Sequence, residues 1–496
     1  MFEVAELGHK VSKAEYLEKV PKLRTQLLDL QRQLSIEDCS VIVLISGVDG
    51  GGKGDVISCL NEWLDPRFMR TNAYDSPTDE ERDRPEFWRF WRTMPPKGTI
   101  GIYVGSWYSE PIAQRVFNKT DDAQLQKQLN HINQLEKELA DDGTLIIKCW
   151  LHLKKDQQKK RLKQLEDNPD TAWQVTDRDK KHLKKYDSFV AVAEKVLKVS
   201  SSAQNPWLII EGGDYRYSSL MVGQQLRDQL QLHLECRQQE QANKQQRFTL
   251  PDVGGHQLNV LDALDLGLQL NKKTYNEQLN YYQGKLNQLV RLAQAKKISS
   301  VLVFEGWDAG GKGGAIRRLT HALDARNYEV ISVAAPTDEE RKQHYLWRFW
   351  RHMPRAGRVT IYDRSWYGRT LVERVEGFAS QDEWMRAYSE ITHFEEALTE
   401  HGIVLLKFWL HIDPDEQLKR FKEREQISYK QHKITEEDYR NRNRWEDYSL
   451  AVNDMVARTS TQAAKWTLVE ANDKRYARIK VLKTYCDKLE ATLAAL

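Results

Sequence analysis

One glycine-rich stretch of this chain has the residue types and the spacing that hold phosphate groups. Gly306–Gly313, with the sequence GWDAGGKG, follows the apolar run Ser300–Glu305, and four residues separate Gly306 from the Gly311-Lys312 pair. This is the spacing of a P-loop. Glycines allow backbone N–H groups to close around phosphate oxygens, and the lysine adds a full positive charge at the start of a helix. The predicted phosphate-binding residues are Gly306, Gly310, Gly311, Lys312 and Gly313.

Two carboxylates lie where they could bind a metal ion next to this loop. Gly313 stands where a P-loop normally has the Ser or Thr that holds Mg2+, but Asp308 lies inside the loop and Glu305 lies just before it. Asp363 ends a second apolar run, Val359–Tyr362, and parallel α/β sheets bind ligands at the carboxyl ends of their strands. We predict that Asp308 and Asp363 hold Mg2+, or that Asp363 orients the attacking phosphate oxygen.

Two arginines follow the second carboxylate. Arg364 and Arg369 can neutralise the charge on the equatorial oxygens of a transferring phosphoryl group. The alternative is an ion pair between Asp363 and Arg364 that serves only the structure. The predicted catalytic residues are Lys312, Asp308, Asp363, Arg364 and Arg369.

The loop occurs twice. Gly47–Gly54, with the sequence GVDGGGKG, precedes Gly306–Gly313 by 259 residues, and this offset holds without a gap along most of each half. Five tryptophan pairs follow it: Trp88 with Trp347, Trp91 with Trp350, Trp107 with Trp366, Trp150 with Trp409, and Trp207 with Trp466. So long a period indicates a duplicated domain rather than a solenoid. We predict a first domain at 1–235, a Gln-rich linker at 236–260 and a second domain at 261–496.

Strand-like runs alternate with helical patterns in each half, which predicts an α/β fold with a parallel sheet flanked by helices. The predicted helices are 13–34, 272–294, the segment Trp347–Arg351 and one that starts at Pro414. One predicted strand ends at Ala73, and the others are 328–335, 359–362, 403–412 and 466–470. The Trp347–Arg351 helix either packs its aromatic rings inward with arginines in solvent, or points its arginines at phosphates.

The bulk composition excludes several classes of partner. The net charge is +3, from 75 basic and 72 acidic side chains, so neither nucleic acid nor membrane binding is expected. The chain has no apolar stretch long enough to span a bilayer, and its first residues lack the pattern of a secretory signal. The five cysteines are scattered, as in a cytoplasmic protein with reduced thiols.

Three segments together resemble a known family. Gly306–Gly313, Tyr362–Arg369 (YDRSWYGR) and Trp347–Arg351 (WRFWR) closely resemble the family-2 polyphosphate kinases, and the resemblance covers nearly the whole chain. It implies two tandem thymidylate-kinase-like P-loop domains with helical lids, and Mg2+-dependent phosphoryl transfer between inorganic polyphosphate and a nucleotide. The duplication resembles the polyphosphate:AMP phosphotransferase subgroup, which makes ADP from AMP.

The resemblance also implies roles for individual residues of the second half. Gly306–Gly313 corresponds to the Walker A loop, and Asp363 with Arg364 belongs to the Walker B region. Arg420 and Arg424 lie in the lid, ahead of a polar segment at 425–444.

The first half departs from this pattern where transfer would occur. The replacements are Val104 for Asp363, Gly105 for Arg364, Glu110 for Arg369, Ser46 for Glu305 and Leu165 for Arg424. We therefore predict a catalytically silent first half, which either takes the structural place of a second subunit or retains polyphosphate through Lys53. A homo-oligomer is also possible.

Three other functions stay open on the sequence. The same phosphate donor could serve a nucleoside diphosphate acceptor, or the fold could belong to an ATP-dependent nucleotide kinase. A phosphate-sensing scaffold without turnover is the third, although the second half retains Lys312, Asp363 and Arg364.

Overall fold

The computed structural model describes residues 1–243, 259–427 and 436–496 and contains two five-stranded parallel sheets. The first consists of β1 (Val41–Gly47), β2 (Met69–Ala73), β3 (Ile100–Val104), β4 (Leu145–His152) and β5 (Trp207–Glu211). The second consists of β6 (Ser300–Gly306), β7 (Tyr328–Ser332), β8 (Val359–Asp363), β9 (Val404–His411) and β10 (Trp466–Glu470). Each strand of the second sheet lies 259 residues after its counterpart. The predicted duplicated α/β fold is confirmed.

Helices connect the strands in the same order in both halves. Those of the first half are α1 (Lys13–Leu34), α2 (Lys53–Trp63), α3 (Asp79–Arg82), α4 (Trp88–Trp91), α5 (Ser109–Val116), α6 (Asp122–Asp141), α7 (Lys155–Asp167), α8 (Asp177–Lys184), α9 (Tyr186–Ser200) and α10 (Tyr215–Asn243). Those of the second half are α11 (Lys272–Ala295), α12 (Lys312–Thr320), α13 (Asp338–Arg341), α14 (Trp347–Trp350), α15 (Val372–Val375), α16 (Gln381–Glu400), α17 (Pro414–Glu425), α18 (Glu436–Asn443), α19 (Trp445–Thr459) and α20 (Lys474–Ala494).

Most predicted elements agree with these bounds. The predicted helix at 13–34 coincides with α1, and β9 and β10 match their predicted runs within one residue at each end. The strand predicted at 328–335 is shorter, because β7 ends at Ser332 beside Asp363, where β8 also ends. The aromatic rings of α14 are buried as the amphipathic interpretation requires, and Arg351 lies over the Trp347 ring at 4.6 Å.

The strand order places each P-loop at a point where the connections change direction. The order is β2-β3-β1-β4-β5 in the first sheet and β7-β8-β6-β9-β10 in the second. In both sheets the strand before the P-loop is central, and successive crossovers leave it toward opposite edges. Parallel sheets bind ligands at such a switch point. The register also sets Phe304 of β6 directly beside Asp363 of β8.

The chain divides into two compact units, and each includes a short segment from the other half of the sequence. The unit containing the second sheet includes Thr78–Arg92, and the unit containing the first sheet includes Asp338–His344. Within the former unit, Trp91 stacks on Trp350 with ring centroids 5.9 Å apart. This unit therefore contains a ring pair whose members lie 259 residues apart in the sequence.

The predicted linker begins at Cys236, whereas α10 continues to Asn243. Residues 244–258 lie outside the described part of the chain. The predicted domain limits of 1–235, 236–260 and 261–496 therefore stay a prediction.

Candidate active site

The second P-loop leaves β6 at a glycine that no other residue could replace without a backbone shift. Gly306 has φ +148°, and a Cβ there would lie 2.5 Å from the Leu410 carbonyl oxygen. Gly311 also has a positive φ, +108°, and caps the first turn of α12. These glycines let the loop lie against β9 with its backbone turned toward the start of the helix, where anions bind.

Lys312 is the first residue of α12, and its ammonium group reaches back over the loop. Its Nζ donates to the carbonyl oxygens of Gly306 at 2.6 Å and Trp307 at 3.2 Å. Burial lowers the pKa of Lys312, while the charge of Asp308 opposes that shift. The lysine is therefore held beside the loop backbone, in position to bind a phosphate oxygen.

Asp308 connects the loop to two other segments. Its Oδ1 accepts from Arg364 at 3.1 Å, and its Oδ2 accepts from Asn441 of α18 at 3.0 Å. Arg364 has φ +65°, a left-handed conformation that costs an arginine free energy. Such strain is retained where the surrounding structure requires the side chain in one place. Asp363, just before it, is half-buried.

Glu305 lies beneath the loop and joins its strand to the segment that follows β8. It is buried, and Ser365 Oγ donates to its Oε1 at 2.7 Å. Burial raises the pKa of Glu305, and the hydrogen bond from Ser365 opposes that shift. Glu305 therefore helps to fix the backbone that carries Asp363 and Arg364 next to the loop.

The loop opens into a cavity of about 610 Å3 that is lined mainly by charge. Four acidic side chains line it: Asp308, Asp363, Glu423 and Asp438. Eight basic side chains also line it: Lys312, Arg317, Arg318, Arg364, Arg420, Arg424, Lys474 and Arg478. This excess of positive charge suits an anion that carries several phosphate groups.

Sequence reasoning missed four of these cations. Arg317 and Arg318 belong to α12, whereas Lys474 and Arg478 lie one turn apart at the start of α20. A signal was present in the repeat itself, because the counterparts 259 residues earlier are Ser58, Cys59, Tyr215 and Ser219. At all four positions an uncharged residue of the first half stands opposite a cation of the second.

The structure places Arg420 under the loop. The side chain is 2% exposed, and its guanidinium donates to the carbonyl oxygens of Ala309, Gly310, Ala471 and Asn472. Its Nε also donates to Glu416 at 2.6 Å. These contacts favour support of the P-loop backbone over movement as part of a lid. The lid role of Arg420 and Arg424 stays a prediction, and residues 428–435 of the polar segment lie outside the described residues.

Arg369 points to a different set of partners. It lies 3.1 Å from Glu373 and 3.8 Å from Glu383, and its guanidinium carbon lies 4.7 Å from the centre of the Tyr345 ring. It is not among the residues that line the 610 Å3 cavity. The structure therefore brings together Lys312, Asp308, Asp363 and Arg364, but it does not bring Arg369 to the same place. The predicted catalytic role of Arg369 remains untested.

The first half retains the loop but not the charges around it. Lys53 Nζ donates to the carbonyl oxygens of Gly47 at 2.9 Å and Val48 at 3.0 Å, as Lys312 does in its own loop. Eight positions are basic in the second-half cavity, and only two of them have basic counterparts in the first half, Lys53 and Arg161. Arg161 also pairs with Asp55 at 2.7 Å, which reduces the positive charge it can offer to a ligand.

Two features are absent from residues 1–243, 259–427 and 436–496. No helix there is long and apolar enough to cross a membrane. No cluster of three or more His, Cys, Asp or Glu side chains in the same residues could hold a metal ion.

Comparisons with known proteins agree with this geometry. A family model described as Polyphosphate kinase 2 (PPK2) matches residues 10–239 and again residues 269–495. A Polyphosphate:AMP phosphotransferase of Pseudomonas aeruginosa is 49% identical over 99% of both chains. Another protein of that name, from Acinetobacter johnsonii, is 37% identical over 91% of both chains. A crystal structure from Pseudomonas aeruginosa PA01, described as a polyphosphate kinase 2, superposes with a TM-score of 0.88 at 47% identity and covers 99% of both chains.

Proposed function

Because the chain belongs to the polyphosphate kinase 2 family, we propose that it transfers the terminal phosphate of inorganic polyphosphate to AMP, giving ADP. The second half carries this reaction. The observation that carries the proposal is the 610 Å3 cavity, in which eight basic side chains surround a P-loop. The choice of AMP as acceptor is supported by the name of relatives that match the chain over nearly its full length.

The cavity is suited to a donor with many phosphates. Arg317 and Arg318 extend the positive charge along α12, and Lys474 and Arg478 add it from α20. Successive charges along one wall can bind successive phosphates, which a single P-loop lysine cannot do. This arrangement favours polyphosphate as donor over a free phosphate ion.

Transfer needs charge to be neutralised at the phosphoryl group as it moves. The loop backbone and Lys312 bind the oxygens of the donor, and Arg364 reaches the same place from the end of β8. Asp308 holds Arg364 at 3.1 Å, so the guanidinium is already oriented before substrate binds. Such orientation stabilises the transition state without a cost of reorganisation.

The donor set also fits Mg2+. This ion takes one or two carboxylates and completes its shell with water and substrate phosphates. Asp308 and Asp363, which line the same cavity, would hold it. When bound, it would neutralise charge on the phosphates. The oxygens of Asp308 already accept from Arg364 and Asn441, so this carboxylate is fixed in place.

The test is a reaction without ATP. The purified chain is incubated with AMP, MgCl2 and polyphosphate, and ADP is measured by chromatography. We expect ADP to form, EDTA to stop its formation, and Asp363→Asn to lower the rate at least about a hundredfold. Replacing AMP by ADP as acceptor tests the nucleoside diphosphate alternative. ADP formation with ATP but not with polyphosphate would contradict the proposal, and no turnover with either donor would favour the scaffold.

A further inference from the structure

The first half contains a cavity of about 430 Å3 beside its own P-loop. Ten of its 19 lining residues have counterparts around a cavity of about 70 Å3 in the second half, and the counterparts of Asp49, Lys53, Val104 and Gly105 line the 610 Å3 cavity. This difference is large for two sheets with the same strand order and the same strand bounds. The first half has therefore changed what can occupy the space next to its loop.

Two substitutions at lining positions open this space. Gly105 replaces Arg364, and Ser46 replaces Glu305. Each change removes a large side chain from the space at the carboxyl end of the central strands.

The wall that remains is aromatic. Trp150 and Phe189 stack with ring centroids 5.8 Å apart, and both line the cavity with Tyr74. Phe117 also lines it and replaces the charged Glu376 of the second half. An aromatic wall of this kind is what a flat ring binds.

The charges at this cavity do not suit a chain of phosphates. Two carboxylates, Asp49 and Asp75, line it together with one lysine, Lys53. Lys53 Nζ lies 3.8 Å from Asp49 Oδ1, and His182 Nδ1 lies 2.6 Å from Asp49 Oδ2. A polyphosphate would meet repulsion here, whereas the Asp49–His182 pair can exchange hydrogen bonds with the hydroxyl and amino groups of a neutral ligand.

We propose that this cavity binds a nucleoside as a ligand that is not turned over. The base would lie against the aromatic wall, and the sugar would face the polar end formed by Asp49 and His182. A volume of about 430 Å3 falls in the range of sites that enclose small molecules. Position 105 is glycine with φ +71°, and a Cβ there would lie 2.7 Å from the Tyr74 carbonyl oxygen, which keeps side chains out of this side of the cavity.

The test uses adenosine as the probe and the full chain throughout. Adenosine binding is measured by calorimetry in wild type, in Ala113→Trp, which fills the first-half cavity, and in Val372→Trp, which makes the matched change 259 residues later. We expect Ala113→Trp to weaken this binding at least about tenfold, as loss of the central pocket of an interface does. Val372→Trp should still bind adenosine, and tripolyphosphate should not displace adenosine from that variant.

Each result decides the proposal. Unchanged adenosine affinity in Ala113→Trp would overturn it, as would the absence of binding to wild type or displacement by tripolyphosphate from Val372→Trp. Circular dichroism and polyphosphate-dependent phosphorylation of AMP check that Ala113→Trp is folded. If it is not, His182→Ala replaces it, because that change removes a hydrogen-bonding group from the cavity without adding volume. Adenosine affinity equal to wild type in His182→Ala would then reject the site.

Discussion

The two halves of this chain have the same interior and different cavities. Each sheet buries one lysine, Lys148 or Lys407, and each lysine contacts a carboxylate on the neighbouring helix. Around the P-loops, by contrast, six of eight basic positions have been lost in the first half. The difference separates the residues that the fold requires from those that the reaction requires.

The retained interior is a network of buried polar groups. In the first half, Glu136 accepts from Trp107 at 3.0 Å and from Tyr108 at 2.7 Å, and pairs with Lys148 at 2.7 Å. Lys148 also donates to the Ser200 carbonyl oxygen at 2.6 Å. A buried charge is tolerated only when it is paired and hydrogen-bonded in this way.

The second half repeats the network with nearly the same distances. Glu395 accepts from Trp366 at 3.0 Å and from Tyr367 at 2.6 Å, and pairs with Lys407 at 2.7 Å. Burial lowers the pKa of Lys407, and Glu395 opposes that shift. Trp107 and Trp366 therefore have the same structural role in the two halves, because each donates to a buried carboxylate.

At one position the backbone conformation also distinguishes a residue that the reaction requires from one that the fold prefers. Arg364 and Gly105 are counterparts and share a left-handed conformation, with φ +65° and φ +71°. Only glycine adopts this conformation without a steric penalty. The second half therefore retains an arginine at a cost in stability, while the first half has the residue that the backbone prefers. A costly side chain that persists beside a P-loop indicates function.

The largest effect is expected in the shared network, where the halves should respond alike. Glu136→Gln and Glu395→Gln each leave a buried ammonium opposite a neutral amide. Breaking a buried pair in this way costs about 3–5 kcal/mol of unfolding free energy. Chemical denaturation of both variants measures it. A loss in one half but not in the other would show that the two networks do not have the same structural role.

Substitution of the two P-loop lysines should have different effects on turnover. Lys312→Ala should lower turnover with AMP and polyphosphate at least about a hundredfold, because the ammonium acts on charge that develops during transfer. Lys53→Ala is the matched variant and should leave turnover within about twofold of wild type. Initial rates of ADP formation decide between them. Equal damage from the two substitutions would make the first half part of the catalytic machinery.

The sequence predicts the fold of both halves better than it predicts the cavity. Apolar runs and glycine spacing are local signals, so β9, α1 and the P-loop could be placed from them. Lys474 and Arg478 reach the cavity from a helix that follows the last strand, and no local motif connects them to Lys312. Only the packed structure brings these distant segments together.

Burial of charged side chains was the other feature that the sequence did not reveal. An arginine in a polar, charged helix is expected in solvent, yet Arg420 is buried because backbone carbonyl oxygens beside the P-loop accept its N–H groups. Glu395 is likewise buried, on a helix whose pattern alone would place a glutamate at the surface. In both cases the partners come from other elements, so the pairing depends on tertiary structure.

Arg364 offers a way to separate backbone strain from chemistry. Arg364→Gly and Arg364→Ala both remove the guanidinium, and each should lower kcat/KM at least about tenfold. The free energy of unfolding should be about 1 kcal/mol higher for the glycine variant than for the alanine variant, because only alanine is penalised in the left-handed conformation. Steady-state kinetics and denaturant unfolding of both variants measure the two effects. Equal stabilities would mean that the backbone relaxes when the arginine is removed.

The smallest effect is expected at the outer cations of the cavity. Arg478→Ser gives the second half the residue that the first half has as Ser219. Arg478 is only half-buried, so water and salt screen its charge. We expect the KM for polyphosphate to rise about two- to fivefold, with kcat unchanged, in keeping with the small worth of exposed charge pairs. The KM should also become less sensitive to added salt, because one of the charges that salt screens is gone. Ser58→Arg, at the exposed counterpart of Arg317, is the control and should change neither constant, since the first half lacks the other cations that would act with it. A fall in kcat at unchanged KM would contradict this expectation, because it would place Arg478 at the transferring phosphoryl group and not among the cations that only bind polyphosphate.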